Sequence, residues 1–282
     1  MKQENIQWHP AFVGAIQLEL AEYRDSLEFI PEFQLTMEPL RIDCVVIKKP
    51  KGLVIKKNIA AMFREVNILE YKSPDRNVSV ADFYKVYAYA CLYSYINKCP
   101  ITGITITFVA SRLPKKLFGH LKNDRGYAVE ETGHGIYTVK GDIIPVQVID
   151  SRKLSAGENL WLKGLRKRLG PVELLQLGDA GVKEDDALVN PYFHAIVHAN
   201  PNAIEEAKKM SSSAKTLDEV LERTGLIAEW ESRGEVRGEE RKSLKIAQNM
   251  IESGFPPETV ISMTELEPEK VKRLYGDMIK PK

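Results

Sequence analysis

Eleven residues, "ITGITITFVAS" from Ile101 to Ser111, do the most to limit how this chain folds. The run is rich in β-branched residues and reads as a strand buried within a sheet. Just before it, "SVADFYKVYAYACLYSYINK" opens with Ser79 three positions ahead of Asp82. That is capping-box spacing, and it predicts a helix running to about Asn97. Upstream, "LRIDCVVIKK" predicts a short strand over Leu40 to Ile47, followed by a basic turn from Lys48 to Gly52. "NIAAMFREV" then makes a helical turn into a strand ending Glu70-Tyr71-Lys72. Ahead of all of these, Phe12, Ala15, Ile16, Leu20 and Tyr23 recur at helical spacing between Pro10 and Asp25. Further strands are expected around Ala128 to Val139, with Gly133-His134-Gly135 as a hairpin tip, and at "DIIPVQVID". Helix, strand, short helix, strand, helix, strand and a β extension together predict an α/β domain.

Beyond Ser151 the pattern turns helical, in "GENLWLKGLRKRL", "PVELLQLG", "PYFHAIVHANPNAIEEAKKM" and "TLDEVLERTGLIAEWESRG". "SRGEVRGEERK" reads as a low-complexity helix or linker, and short helices broken at Gly254 and Pro256-Pro257 follow. The expected organisation is an α/β domain over 1–155, a helical domain over 156–235, and a charged linker with short helices over 236–282. A content of 44% hydrophobic and 28% charged residues is that of a soluble globular chain. The net charge of +1 means that any nucleic-acid footprint must be a local patch. No segment approaches the ~20 apolar residues of a membrane span, and the first residues lack a signal-peptide core. Cys44, Cys91 and Cys99 have neither metal spacing nor an even count for disulfides, so a reducing cytoplasm is the expected location. No P-loop, dinucleotide fingerprint or nucleophile elbow occurs, which argues against nucleotide hydrolysis, an organic cofactor and esterase chemistry. His194 and His198 share a helix face but lack a third ligand, and read as a structural pair.

The residues that carry chemistry lie on the first two strands. Asp43 interrupts an apolar strand, where a carboxylate is costly unless paired or bound to a cation. Glu70 and Lys72 share a face, because strand side chains repeat every two residues. If the two strands are neighbours, Asp43 and Glu70 converge on one Mg²⁺ (or Mn²⁺), an ion that prefers oxygen ligands. Lys72 would orient or help deprotonate a water there, and Glu19 of the first helix would supply a third carboxylate. The residues alone also allow an exposed Glu70–Lys72 ion pair, an Asp43 paired with Arg41, and a surface Glu19. Lys48, Lys49, Lys51, Lys56 and Lys57, with Tyr84 and Lys85, are candidate phosphate contacts. "KGLRKR" adds Lys163, Arg166, Lys167 and Arg168 to the candidates.

"HPAF", "PLRIDCVVIKK", "NILEYKSP" and "DFYKVYAYACLY" resemble the PD-(D/E)XK nuclease superfamily, in particular its recombination-promoting nuclease and putative transposase group. The resemblance covers roughly the first hundred residues and returns in "RGEVRGEERK…IAQNMIESGFPPETV". Asp43 matches the motif aspartate, Glu70 the second acid and Lys72 the lysine. Ile42 stands where the motif has proline, and Glu19 matches the helix acid by position only. The resemblance implies a restriction-endonuclease-like core, a mixed central sheet flanked by helices, followed by a helical C-terminal region. It further implies a Mg²⁺-dependent endodeoxyribonuclease linked to recombination or mobile elements. DNA is the implied partner, with the helical half gripping it or mediating self-association. The alternative is an inactive nuclease fold that binds DNA or protein.

Overall fold

The computed structural model describes residues 6–31, 44–210 and 214–279. The chain forms two compact units, Met1–Thr224 and Gly225–Lys282. The first is built from α1 (Trp8–Glu19), β1 (Glu28–Pro31), β2 (Cys44–Lys48), β3 (Val66–Tyr71), α2 (Val80–Asn97), β4 (Ile104–Ala110), α3 (Lys115–Asn123), β5 (Ala128–Gly133), β6 (Ile136–Lys140) and β7 (Val146–Asp150). It continues through α4 (Leu160–Gly164), α5 (Pro171–Gly181), α6 (Asp186–Ala199), α7 (Pro201–Lys209) and α8 (Ala214–Arg223). Among the described residues the strands make one seven-stranded sheet of order β1-β2-β3-β4-β7-β6-β5. β3, β4 and β7 run parallel and the remaining pairs antiparallel, so the sheet is mixed. A mixed sheet flanked by helices, then a helical C-terminal region, is the expected architecture.

The alternation along β3 separates two environments. Val66 and Ile68 join Phe83, Val86 and Tyr89 of α2 and Leu117 and Leu121 of α3 in one apolar core. Tyr71 points to the other face, where its ring stacks on Phe12 of α1 at 4.7 Å. α1 in turn packs along α6. On that second face a polar row crosses the sheet and is fully buried. The Thr105 hydroxyl donates to Asn67 Oδ1 at 2.6 Å, and the Asn67 amide donates to the Ile47 carbonyl at 3.1 Å. Gln147 donates to the Ile59 carbonyl at 2.9 Å and to the Thr107 hydroxyl at 3.4 Å. Each of these groups would be costly if left unpaired, and each has its partner.

The capping box is present as expected. Ser79 Oγ accepts from the Asp82 N–H at 3.1 Å, and Asp82 Oδ2 accepts from the Ser79 N–H at 2.8 Å. The expected first helix ends at Glu19 and tightens into a 3₁₀ turn over Ala21–Ser26. β1 and α3, which hydrophobic spacing did not predict, flank the expected elements. The Gly133-His134-Gly135 tip joins β5 to β6, with Gly135 at φ +78°. "GENLWLKGLRKRL" is helical only over α4. Its second half is an irregular loop, because Asn200 holds both of its ends: Asn200 Nδ2 donates to the Arg166 carbonyl at 2.9 Å, and the Leu169 N–H donates to Asn200 Oδ1 at 2.8 Å. Between those anchors Arg168 sits at φ +61°, a left-handed conformation uncommon for a side chain with a Cβ. Cys91, although it follows an apolar stretch of α2 whose neighbours suggest a packing residue, is exposed.

The second unit contains α9 (Leu226–Glu252), α10 (Pro257–Thr264) and α11 (Pro268–Ile279). "SRGEVRGEERK" lies within α9. Ala247, Val260, Leu266 and Val271 form a small apolar core for the three helices. The chain reverses between α10 and α11 through Glu265 at φ +54°, followed by Leu266, which is buried. Among the described residues no helix is long and apolar enough to cross a membrane.

Candidate active site

Glu70 is the residue before the end of β3, on the α2 side of the sheet, and it is completely buried. A carboxylate in that position needs cations, and the sequence supplies them from two elements. Lys72 extends the strand, its N–H donating to the Val109 carbonyl of β4 at 2.9 Å. Its Nζ returns to Glu70 Oε1 at 2.7 Å, as side chains two apart on a strand can do. From above, Lys85 of α2 reaches the same oxygen at 3.0 Å. The Ser79 cap sets this geometry, because it places Asp82 in the first turn of α2 and Lys85 one turn later, on neighbouring positions of one helix face. Asp82 Oδ1 then holds Lys72 Nζ at 2.9 Å. Two carboxylates and two ammonium groups thus form one chain, Asp82–Lys72–Glu70–Lys85. The side chains run from full burial at Glu70 through 11% exposure at Lys72 to 34% at Lys85.

This chain sets the charge states. Burial alone would lower the Lys72 pKa, but hydrogen bonds and charge from Asp82 and Glu70 outweigh it and hold Lys72 above the ordinary lysine value. Burial would likewise raise Asp82, yet hydrogen bonds from Lys72 and Ser79 bring its carboxyl down to about 2. A depressed carboxylate contributes stability in full above its unfolded value of 3.8, and loses it as pH falls through about 2. Asp82→Asn is therefore expected to cost about 1 kcal/mol at neutral pH, after discounting for its partial exposure. The difference from wild type should close between pH ~4 and ~2, which urea unfolding across that range measures.

Asp43 lies outside the described residues. Cys44, which follows it, pairs across the β2–β3 ladder with Glu70. The structure does not bring Glu19 to this site. Glu19 is buried on the α1 side of the sheet, where Oε1 accepts the Leu162 N–H at 3.0 Å and Oε2 pairs with Lys57 at 2.7 Å. Desolvation raises its pKa, partly offset by Lys57 and the Leu162 N–H. Its sequence position at the end of the first helix gave no sign of which sheet face α1 would cover.

The basic stretch is also redistributed. Lys48 pairs with Val66 at the start of β3, four residues and roughly 13 Å along the strand from Glu70. Lys48 binds Glu28 at 3.0 Å, the Lys49 ammonium donates to the Leu53 carbonyl at 2.6 Å, and Lys57 is committed to Glu19. Lys51 and Lys56 are exposed. Tyr84 turns away from Glu70, its hydroxyl 2.8 Å from His120 Nε2. Lys85, by contrast, is an integral part of the site. Asp82 was readable as a helix cap, but nothing in its spacing announced the bond to Lys72. His198 Nδ1 lies 2.6 Å from the His194 carbonyl, and the two rings stack at 5.9 Å. Among the described residues no cluster of three or more His, Cys, Asp or Glu is arranged to hold a metal ion.

No curated protein and no solved structure matched the chain. A family model did match, over residues 240–275, which span the end of α9, α10 and most of α11. The matching model describes the C-terminal helix-turn-helix domain of the Rpn/YhgA-like nuclease family, so this segment is similar to that domain, and the match supports an Rpn family assignment.

Proposed function

We propose that the chain is a Mg²⁺- or Mn²⁺-dependent endodeoxyribonuclease whose reaction centre is built on Glu70 and Lys72. The observation that carries this reading is a fully buried Glu70 bonded to Lys72 at the C-terminal end of a parallel strand. The Rpn-type segment at 240–275 raises its weight. A hard divalent cation suits the donor chemistry of Glu70, and Asp43 would supply the second carboxylate. When bound there, the ion would supply water activation and charge neutralisation at a phosphodiester oxygen. The protein's own groups do the rest. Lys72, kept protonated by its two carboxylates, donates hydrogen bonds to the attacking water or to a non-bridging phosphate oxygen. Asp82 fixes where Lys72 points, and Lys85 pairs with the Glu70 carboxylate from the α2 side. The C-terminal helix-turn-helix serves DNA contact.

The second reading, a nuclease fold that binds DNA or protein without turnover, draws on the same geometry. Lys72 and Lys85 together already neutralise Glu70. Thermal unfolding separates the two. A catalytic centre should raise the midpoint in millimolar Mg²⁺ or Mn²⁺, because a ligand that binds only the native state stabilises it. Asp43→Asn should abolish that rise. Absence of any rise in wild type, together with intact plasmid DNA after incubation with either ion, would leave the binding reading.

A further inference from the structure

A second polar site lies just beyond the catalytic strand. The chain leaving β3 at Pro74-Asp75, the residues after β4 at Ser111-Arg112, Arg152 after β7, and the Asn200-held loop together enclose a pocket of about 210 Å³. Three parallel strands thus end at its walls, the position where open α/β sheets hold their ligands. Five cations line it, Arg112, Arg152, Arg166, Lys167 and Arg168, against one lining carboxylate, Asp75. Arg152, Arg166 and Lys167 pair with Asp150, Glu173 and Asp75 respectively. Arg112 and Arg168 pair with no carboxylate among the described residues, so the pocket keeps a surplus of positive charge.

Charged loops are ordinarily solvated surface, and two observations argue against that here. The backbone of the loop is held in place: Asn200, itself buried, bonds to Arg166 and to Leu169 and so encloses the left-handed Arg168. A non-glycine residue kept in that conformation by its surroundings points to a role for the position. The Arg166 guanidinium is also fixed, because its Nη2 donates to both carboxylate oxygens of Glu173. Its Nε–H is buried and meets no acceptor among the described residues. These are preorganised donors, and guanidinium forks match phosphate oxygens.

We propose that this pocket binds a backbone phosphate of the DNA substrate, next to the one held at Glu70 and Lys72. Pro74 begins two residues after Lys72, so a strand crossing the end of β3 meets both sites. The pocket reads no base; it fixes the register of the backbone across the reaction centre. The proposal rests on the nuclease reading for its substrate, and its test is independent of cleavage.

The experiment measures binding of a fluorescent DNA duplex by anisotropy, with full-length protein carrying Glu70→Gln, in chelator and over a range of salt. Arg112→Gln and Arg168→Gly are added together. Glycine suits the left-handed position, so the fold should keep or gain thermal stability. DNA affinity should fall about tenfold, and the salt slope should shrink by about one, for the one phosphate no longer neutralised. Unchanged affinity and slope in a folded variant would overturn the proposal. Displacement of the duplex by millimolar inorganic phosphate at constant ionic strength in the parent but not the variant would support it, since free phosphate then competes for the site that holds the backbone. A wild-type protein that binds through these arginines yet never cuts would refute the catalytic reading and leave the pocket standing.

Discussion

Glu70→Gln should reduce Mg²⁺-dependent plasmid cleavage at least a hundredfold, on the order of losing one essential electrostatic contact in a reaction centre. Glutamine keeps the shape of the side chain and removes its charge. The amide is a poor partner for a divalent cation and no longer balances two ammonium groups. Lys72 keeps Asp82 at 2.9 Å, and Lys85 is exposed enough to turn to water. The stability cost should therefore stop at about 1–3 kcal/mol, less than that of stranding a buried charge. Adding Lys72→Met removes the charge left without its buried partner. The double variant should regain part of the lost stability through a coupling of about 0.5–3 kcal/mol, and regain no cleavage. Denaturant unfolding and a plasmid assay on the four proteins of the cycle separate fold from chemistry. Wild-type cleavage rates in Glu70→Gln would place the reaction elsewhere.

Glu19 should behave in the opposite way. Glu19→Ala removes the acceptor of the buried Leu162 N–H and the partner of Lys57. A loss of about 2–3 kcal/mol is expected, lowering the midpoint of the first unit by roughly 5–10 °C. Glu19→Gln keeps an oxygen for Leu162 and should hold the fold, with cleavage within a few-fold of wild type. The pH dependence follows from the raised carboxyl of Glu19. Between its unfolded value of 4.5 and its higher folded value, the native state holds more protons than the unfolded chain. Wild-type stability therefore falls through that window as pH rises, and the glutamine variant lacks this loss. Glu19→Gln should thus compare best with wild type at neutral pH and worst in acid. A cleavage defect of a hundredfold in a folded Glu19→Gln protein would return Glu19 to the reaction centre.

The different positions of these two glutamates show what a linear reading resolves. Glu70 and Lys72 could be paired from sequence because both lie on one strand, where a period of two fixes their common face. The α2 start could be placed because Ser79 and Asp82 satisfy each other locally. What could not be read depends on partners far along the chain. Lys85 reaches Glu70 only once α2 lies over β3, fifteen residues apart in sequence. Glu19 was assigned to the catalytic cluster by its place on the first helix, yet its partners are Lys57 and Leu162, the latter 143 residues away. The arginines of "KGLRKR" have helical spacing, and it is Asn200 that holds them in a loop instead. Local periodicity reports an element's preferred form; it carries no record of a side chain that arrives later and takes the backbone's hydrogen bonds.

The polar row across the second face of the sheet bears on fidelity. Strand alternation means that a slip of one residue between β3 and its neighbours would turn Glu70 away from α2 and separate it from Lys85. Apolar side chains police such a slip weakly here, since β3 is buried on both faces and Ile68 and Leu69 can exchange surroundings at modest cost. Asn67 cannot. Its amide spans the Ile47 carbonyl on one neighbour and the Thr105 hydroxyl on the other, and a shifted strand would leave these groups unpaired in a dry interior. The row thereby acts as an alignment key: three strands admit one phase, and in that phase the carboxylate of Glu70 meets its lysines.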